Sequence, residues 1–443
     1  MRRTCVEPSF SIVPPARKVL FEGTVHVVTP MFGGSATAGE VDPERPVNAK
    51  MIRGHLRFWW RACRAGKFQD AGEMFAEETK IWGSTDTPSA VDVHVETLSA
   101  GARVACAHYD KRPDGTYRSF PTFRPGYPSY ALFPFQGKAG RSVIETKPLE
   151  AHEKVQFVLR LSASQSNTSL SESDLDCEVK AALWAWLLFG GVGARTRRGC
   201  GSLYVAGWPF DDLQKNAAEA IGAQASHYVD QGACSLPIPS LKGARLIVIG
   251  SKQPHLQAWG SAINKMRDFR QGVGVGRNQG AAPNRPGRSK WPEPDSIREA
   301  THRSSPGHQP QHPAQPYYPR ADLGMPIVFH FKDEFNGDPH DTILGPTEDG
   351  RTRMASPAIL KPLAVSTTHS LPMALMLNAP HVWDPDVPQV GLSGGRAVDA
   401  GQLHDPQKST RVKPLQDHGK DNAREAFMEF FKRGDSGAKE VKL

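Results

Sequence analysis

The chain has 443 residues, 39% hydrophobic and 23% charged, enough for two or three domains that each bury a core. No apolar run approaches the ~20 residues that cross a bilayer, and the N-terminal MRRTCVEPSFSIVPPARK has no apolar core or cleavage site, so a membrane protein and a secreted one are set aside in favour of the cytoplasm. The formal charge of +8 favours an anionic partner, nucleic acid first. Six cysteines (Cys5, Cys63, Cys106, Cys177, Cys200 and Cys234) form no CxxC pair, which predicts reduced thiols and no zinc site.

Residues 18–29 alternate apolar and polar and are rich in Val, the pattern of a strand. A glycine- and proline-bearing loop follows, and then a helix over 48–65, with Asn48 as N-cap and Gly66 as its stop. A second helix covers 70–81. Strands are predicted at 90–98 and 102–109, then an aromatic-rich insertion to about 140, and a further strand at 153–161. Residues 174–191 form a strongly apolar helix, and a short strand follows at 202–208. Strand–helix–strand–strand–helix–strand is the ferredoxin-like order of an α+β domain, here with insertions.

Residues 209–243 are a linker candidate holding a short Ala-rich helix. A second set of elements then begins: a strand at 244–250, a helix at 254–269, and a Gly/Pro/Arg/His-rich excursion over 272–320 predicted to be flexible. Strands resume at 325–331, 357–365 and 371–377, and a charged helix at 421–433 is expected to close the chain. The predicted division is therefore 1–208, a linker over 209–243, and 244–443, where the second half would repeat the fold of the first.

Two segments carry chemistry. In the helix at 48–65, Arg53, Arg57, Arg61 and Arg64 recur at spacings of four, four and three and share a face, beside an apolar face of Ile52, Leu56, Trp59, Trp60 and Cys63. Like charges at that spacing repel, so the stripe requires anions. Two sources stay open: RNA phosphates, or the acids Glu73, Glu77 and Glu78 of the next helix. The second segment, GGVGARTRRGCGS at 190–202, sets Arg195, Arg197 and Arg198 among Gly190, Gly191, Gly193 and Gly199. Glycine permits close backbone approach, and arginine offers forked donors that match phosphate. The loop lacks GK[ST] and GxGxxG, which argues against a Walker A loop and a dinucleotide fingerprint.

TPMFGG (29–34), IRGHLRFWWRA (52–62), IWGS (81–84) and the glycine–arginine loop together resemble the RAMP superfamily. With WPEPDSIR (291–298), GMPIVFHF (324–331) and MASPAILKPL (354–363), the resemblance narrows to the Cmr subunit of type III-B CRISPR effectors that carries two RAMP domains. It implies two ferredoxin-like, RRM-like domains, assembly with other Cmr subunits, and contact with crRNA or target RNA. Base pairing would then supply sequence specificity while the protein holds backbone. On that reading the RNA-binding residues are Arg53, Arg57, Arg61, Arg64, Gly190, Gly191, Gly193, Arg195, Arg197, Arg198 and Gly199.

Some RAMP relatives cut RNA with a histidine base, so catalysis is weighed. His55 is the strongest of 16 histidines because it shares the arginine helix, but no Tyr or Lys stands at a telling spacing. His26, His94 and His330 sit alone on strands. His302, His308 and His312 lie in a proline-broken loop with no adjacent ligand set, and Asp211-Asp212 and Asp333-Glu334 lack a third ligand. The expectation is no catalytic residue, no metal and no cofactor. Two alternatives stand beside the RNA-binding subunit: a metal-independent endoribonuclease using His55, and an assembly protein whose arginines meet only acidic neighbours.

Overall fold

The Val-rich first segment forms β1 (Lys18–Val27), whose inward Val25 and Val27 are buried while their neighbours face out. The computed structural model describes residues 17–35, 37, 39–233, 236–282, 287–348 and 350–443. Cys5, Cys234, the N-terminal stretch and part of the 272–320 excursion lie outside these residues. After β1 come α1 (Ala49–Arg64), α2 (Ala71–Trp82), β2 (Val91–Ser99), β3 (Gln156–Ala163), α3 (Glu172–Phe189) and β4 (Leu203–Val205). Asn48 caps α1 as its sequence implies, its side chain accepting from the Met51 N–H at 3.0 Å. The sheet runs β4-β1-β3-β2, antiparallel throughout, with Val25 opposite both Phe157 and Val205. That is the ferredoxin-like order, fourth-first-third-second.

The second half repeats it. Beyond α4 (Leu213–Tyr228) lie β5 (Ser240–Val248), α5 (His255–Gln271), α6 (Glu293–Thr301), β6 (Ile327–Phe329), β7 (Thr342–Pro346), β8 (Ala358–Ala364), β9 (His369–Asn378), β10 (Val390–Leu392), β11 (Arg396–Val398), α7 (Ala423–Lys432) and β12 (Lys439–Lys442). The principal sheet runs β12-β5-β9-β8, again fourth-first-third-second. The fold class is thus α+β with two ferredoxin-like units.

The structure departs from the sequence reading in four places. The helix at 421–433 does not close the chain, because β12 follows it and pairs with β5, Leu246 opposite Val441. The strand expected at 325–331 is only β6, and it joins a separate small sheet, β6-β7-β10-β11. The strand expected at 102–109 is two short pieces, Ala102–Ala105 paired with Glu150–Glu153 and Ala107–His108 paired with Thr122–Phe123. The described part of 272–320 is packed: it contains α6, and Trp291, Tyr317 and Tyr318 are buried. Internal ion pairs hold it, Arg320 with the fully buried Glu293 at 3.1 Å, and Arg288 and Arg298 with Asp295 at 3.1 Å each. Such pairs bury charge only because the partner is supplied from elsewhere in the segment.

The two units are stacked in layers. Every residue of α3 from Ala181 to Phe189 is buried, as a helix apolar on all sides requires. In β8 and β9, alternation sorts side chains between two cores. Ile359, Leu363, Leu371, Met373 and Leu375 join the core that contains Trp59, Trp60, Trp184 and Trp186 of the first unit. Ala358, Leu360, Ala374 and Met376 face the other way, onto Trp259, Ile263, Phe427 and Phe431 of α5 and α7. The second sheet is therefore covered on both faces, which is why PAILKPLA and LPMALMLN are nearly continuous apolar runs.

Candidate nucleic-acid interface

Three of the four arginines of α1 find their anions inside the protein. Arg61 donates to both oxygens of Glu78, at 2.7 and 2.8 Å, and Arg57 also donates to Glu78, a carboxylate only 1% exposed. Arg64 donates to Glu178 of α3 at 2.8 Å and to the Tyr228 carbonyl at 2.6 Å, and Trp60 Nε1 shares Glu178 at 2.6 Å. Arg53 donates to the Val91 carbonyl at 3.3 Å. Of the three acids the sequence offered, Glu78 takes two arginines. Glu77 pairs with Lys80, and Glu73 accepts from the Gln69 N–H.

The glycine–arginine loop is the seam between the units. Arg198 donates to the Ala358 carbonyl at 2.7 Å, Arg197 donates to the Ser356 carbonyl, and Trp259 Nε1 of the second unit donates to the Arg198 carbonyl at 2.6 Å. Glycine is required where the loop seats. Gly193, at φ 80°, would place a Cβ 2.4 Å from the Phe32 carbonyl oxygen, and Gly199, at φ 79°, one 2.6 Å from Trp259. Gly191 accepts from Trp186 Nε1 at 3.1 Å, and Gly190 accepts from Lys361 Nζ at 2.6 Å.

Lys361 is the residue the sequence reading missed. It lies in β8 on the face of Ile359 and Leu363, is 1% exposed, and burial pushes its amine down to about 7. Burial likewise lowers the pKa of Arg195 and Arg197 and takes Arg198 to about 10. Arg195 lies 5.8 Å over the Phe135 ring with its Nε buried and unpartnered, and Arg197 lies 5.5 Å over Phe58. Arg353 and Arg270 add same-sign charge beside Arg195 and Arg198. Among the described residues, no carboxylate forms an ion pair with any of these six cations, whereas Arg57, Arg61 and Arg64 all have one. The signal for Lys361 was present as the single charge within PAILKPLA.

A cleft of about 190 Å³ opens at the seam, lined by His55, Phe58, Trp59, Phe189, Thr196 and Arg197 among others. The His55 ring stacks on Trp186, and burial pushes its pKa down to about 4, so it is neutral and a weak base at pH 7. His26 is paired ring to ring with Tyr204, His94 is exposed on β2, and His330, just past the end of β6, meets Asp341 at 2.7 Å. His302 ends α6 and the His312 ring meets the Lys290 carbonyl, so among the described residues His308 is the member of that trio whose ring meets carboxylates, Asp333 and Asp338. Both Asp338 oxygens already accept from Arg298, at 3.1 and 3.2 Å, which makes the group an ion-pair network with its charge answered. Among the described residues no helix is long and apolar enough to cross a membrane.

The description of the RAMP superfamily matches residues 24–204, which include β1, the arginine helix and the glycine–arginine loop. The Cmr subunit Cmr1-2 of a CRISPR system in Pyrococcus furiosus is 30% identical over 184 residues, 41% of this chain and 92% of that protein. The chain belongs to the RAMP superfamily, on its Cmr1 branch. Two solved structures are similar to this RAMP chain at lower identity. The apo crystal structure of Cmr1 from Pyrococcus furiosus is 17% identical with a TM-score of 0.45, covering 85% of this chain and 92% of that one. A type III-B Cmr-beta complex seen by cryo-electron microscopy with cognate target RNA and AMPPnP contains a chain 14% identical with a TM-score of 0.46, covering 81% and 94%.

Proposed function

We propose that this RAMP chain is a non-catalytic, RNA-binding subunit of a cytoplasmic type III-B CRISPR ribonucleoprotein, packed beside other Cmr subunits, whose seam holds the backbone of crRNA or target RNA. Its RAMP units would span 1–208 and 244–443. The reading rests on one observation: five arginines that reach the surface, three of them in the glycine–arginine loop, gather at the seam without an ion-paired carboxylate among the described residues, with the buried Lys361 behind them. Gathering like charges in a partly desolvated place is costly, and a phosphate chain is the anion that meets several at once. The α1 stripe is assigned instead to holding α1 on α2 and α3, since three of its four charges are already answered.

Arg195→Ala with Arg353→Ala removes two seam cations that make no ion pair among the described residues. Affinity for single-stranded RNA is expected to fall, and the slope of log affinity against log salt to flatten by about 1.4, at ~0.7 per lost contact. Fluorescence anisotropy across a salt series measures both, and an unchanged slope rejects the seam as the RNA site. The endoribonuclease alternative makes a separate demand, cleavage of repeat RNA in EDTA that stops in His55→Ala. We expect no cleavage by either protein.

A further inference from the structure

The insertion between β2 and β3 carries a surface that the seam does not account for. Residues 106–149 hold seven lysines and arginines against three carboxylates. Arg124 pairs with Glu153 and Lys138 with Glu145. The remaining five, Lys111, Arg112, Arg118, Arg141 and Lys147, are exposed and form no ion pair among the described residues. Four of them are gathered by the backbone: Lys111 bridges to Tyr117, the Arg112 N–H donates to the Thr116 carbonyl at 2.6 Å, the Tyr117 N–H donates to the Arg141 carbonyl at 2.9 Å, and the Arg118 N–H donates to the Asp110 carbonyl at 3.0 Å. Beside them Phe120 is 78% exposed, a large apolar ring in a strongly cationic surrounding.

The base of this arm is built into the seam. Phe135 packs on Phe32 at 4.9 Å between ring centres and lies under Arg195, and Tyr127 packs on Trp259 of the second unit at 6.0 Å. The base of the arm therefore adjoins the seam cations.

We propose that the 106–149 arm binds an unpaired stretch of RNA, with a base stacked on Phe120 and its phosphates met by Lys111, Arg112, Arg118 and Arg141. An exposed aromatic ring offers a π-face to any base, and the exposed cations beside it, none in an ion pair among the described residues, suit the backbone that a base in a duplex would carry out of reach. A protein partner would find the ring attractive but would have to answer four cations, so the charge favours nucleic acid. This inference rests on the RNA-binding reading above.

The test uses the full chain and two probes, an unstructured RNA oligonucleotide and a blunt RNA duplex. Phe120→Ala and Phe120→Leu are expected to weaken binding of the single strand roughly tenfold with an unchanged salt slope, Phe120→Trp to preserve it, and none to alter duplex binding. The triple change Arg112→Ala, Arg118→Ala, Arg141→Ala is expected to flatten the single-strand salt slope by about 2. If the unaltered chain binds neither probe, the RNA-binding reading falls and the arm with it. If it binds, and the Arg195 variant weakens binding while Phe120→Ala does not, the arm alone is overturned. Unchanged RNA binding with loss of association to other subunits would likewise overturn it, in favour of a protein-docking arm.

Discussion

Lys361→Met is expected to stabilise the protein at neutral pH and to remove a rise in stability that the unaltered chain shows between about pH 7 and 10.5. The amine is buried in β8 with the Gly190 carbonyl as its hydrogen-bond partner, and its pKa falls from the ordinary 10.5 to about 7. Across that window the unfolded chain holds a proton that the folded one has lost, so stability rises with pH, by at most about 1.4 kcal/mol per unit. Below pH 7 both states are protonated and the full burial penalty stands, on the order of 4 kcal/mol. Above 10.5 both are neutral and it vanishes. Methionine keeps the length, removes the titration and leaves the Gly190 carbonyl unpaired at a cost of about 1 kcal/mol, so a net gain of about 2–3 kcal/mol is expected at pH 7. Urea unfolding at pH 7 and at pH 10 measures it, and parallel pH profiles for the two proteins would contradict the buried, uncompensated amine.

The elements legible in the sequence were those whose pattern is local. Alternation in β1, the Asn48 cap with the 3.6-residue stripe of α1, and the unbroken apolar run of α3 each state their own structure. The ferredoxin-like order of the first unit followed from these, and the resemblance extended it to the second. What stayed hidden depends on partners distant in the chain. In β12, KEVK offers one apolar residue in four and becomes a strand because β5 presents an open edge to it. The 272–320 segment looked flexible because its glycines and prolines are visible while its ion pairs are not. Arg320 is 27 residues from Glu293, and neither charge announces that it is buried. The same limit governed the site. Spacing aligned the α1 arginines correctly but could not tell an anion on α2 from one on RNA, and the loop's place between two units exists only once both have folded.

Arg57→Ala combined with Arg61→Ala should then destabilise the chain while leaving RNA affinity intact. Glu78 is 1% exposed and accepts three hydrogen bonds, all from these two guanidiniums. Removing both leaves a carboxylate in a dry interior without a cation, a loss that costs about 3–5 kcal/mol when neither partner reaches water. Arg61 is 40% exposed and Arg57 27%, so part of their charge is already screened, and about 3 kcal/mol is the expected loss. A compensating change separates a lost ion pair from a lost helix. Adding Glu78→Leu to the double variant removes the orphaned charge and should recover most of the stability, because apolar residues of similar size commonly replace a buried ion pair at little cost. Thermal unfolding of the three proteins measures the recovery, and anisotropy on the folded material measures RNA binding. Should the double variant keep its stability and lose about 1.4 from its salt slope, the stripe would face RNA after all, and the seam would be one part of a wider RNA track. Should it lose stability, regain it with Glu78→Leu and bind RNA unchanged, the anion that the stripe required is Glu78, and RNA contact concentrates where the structure leaves cations unanswered.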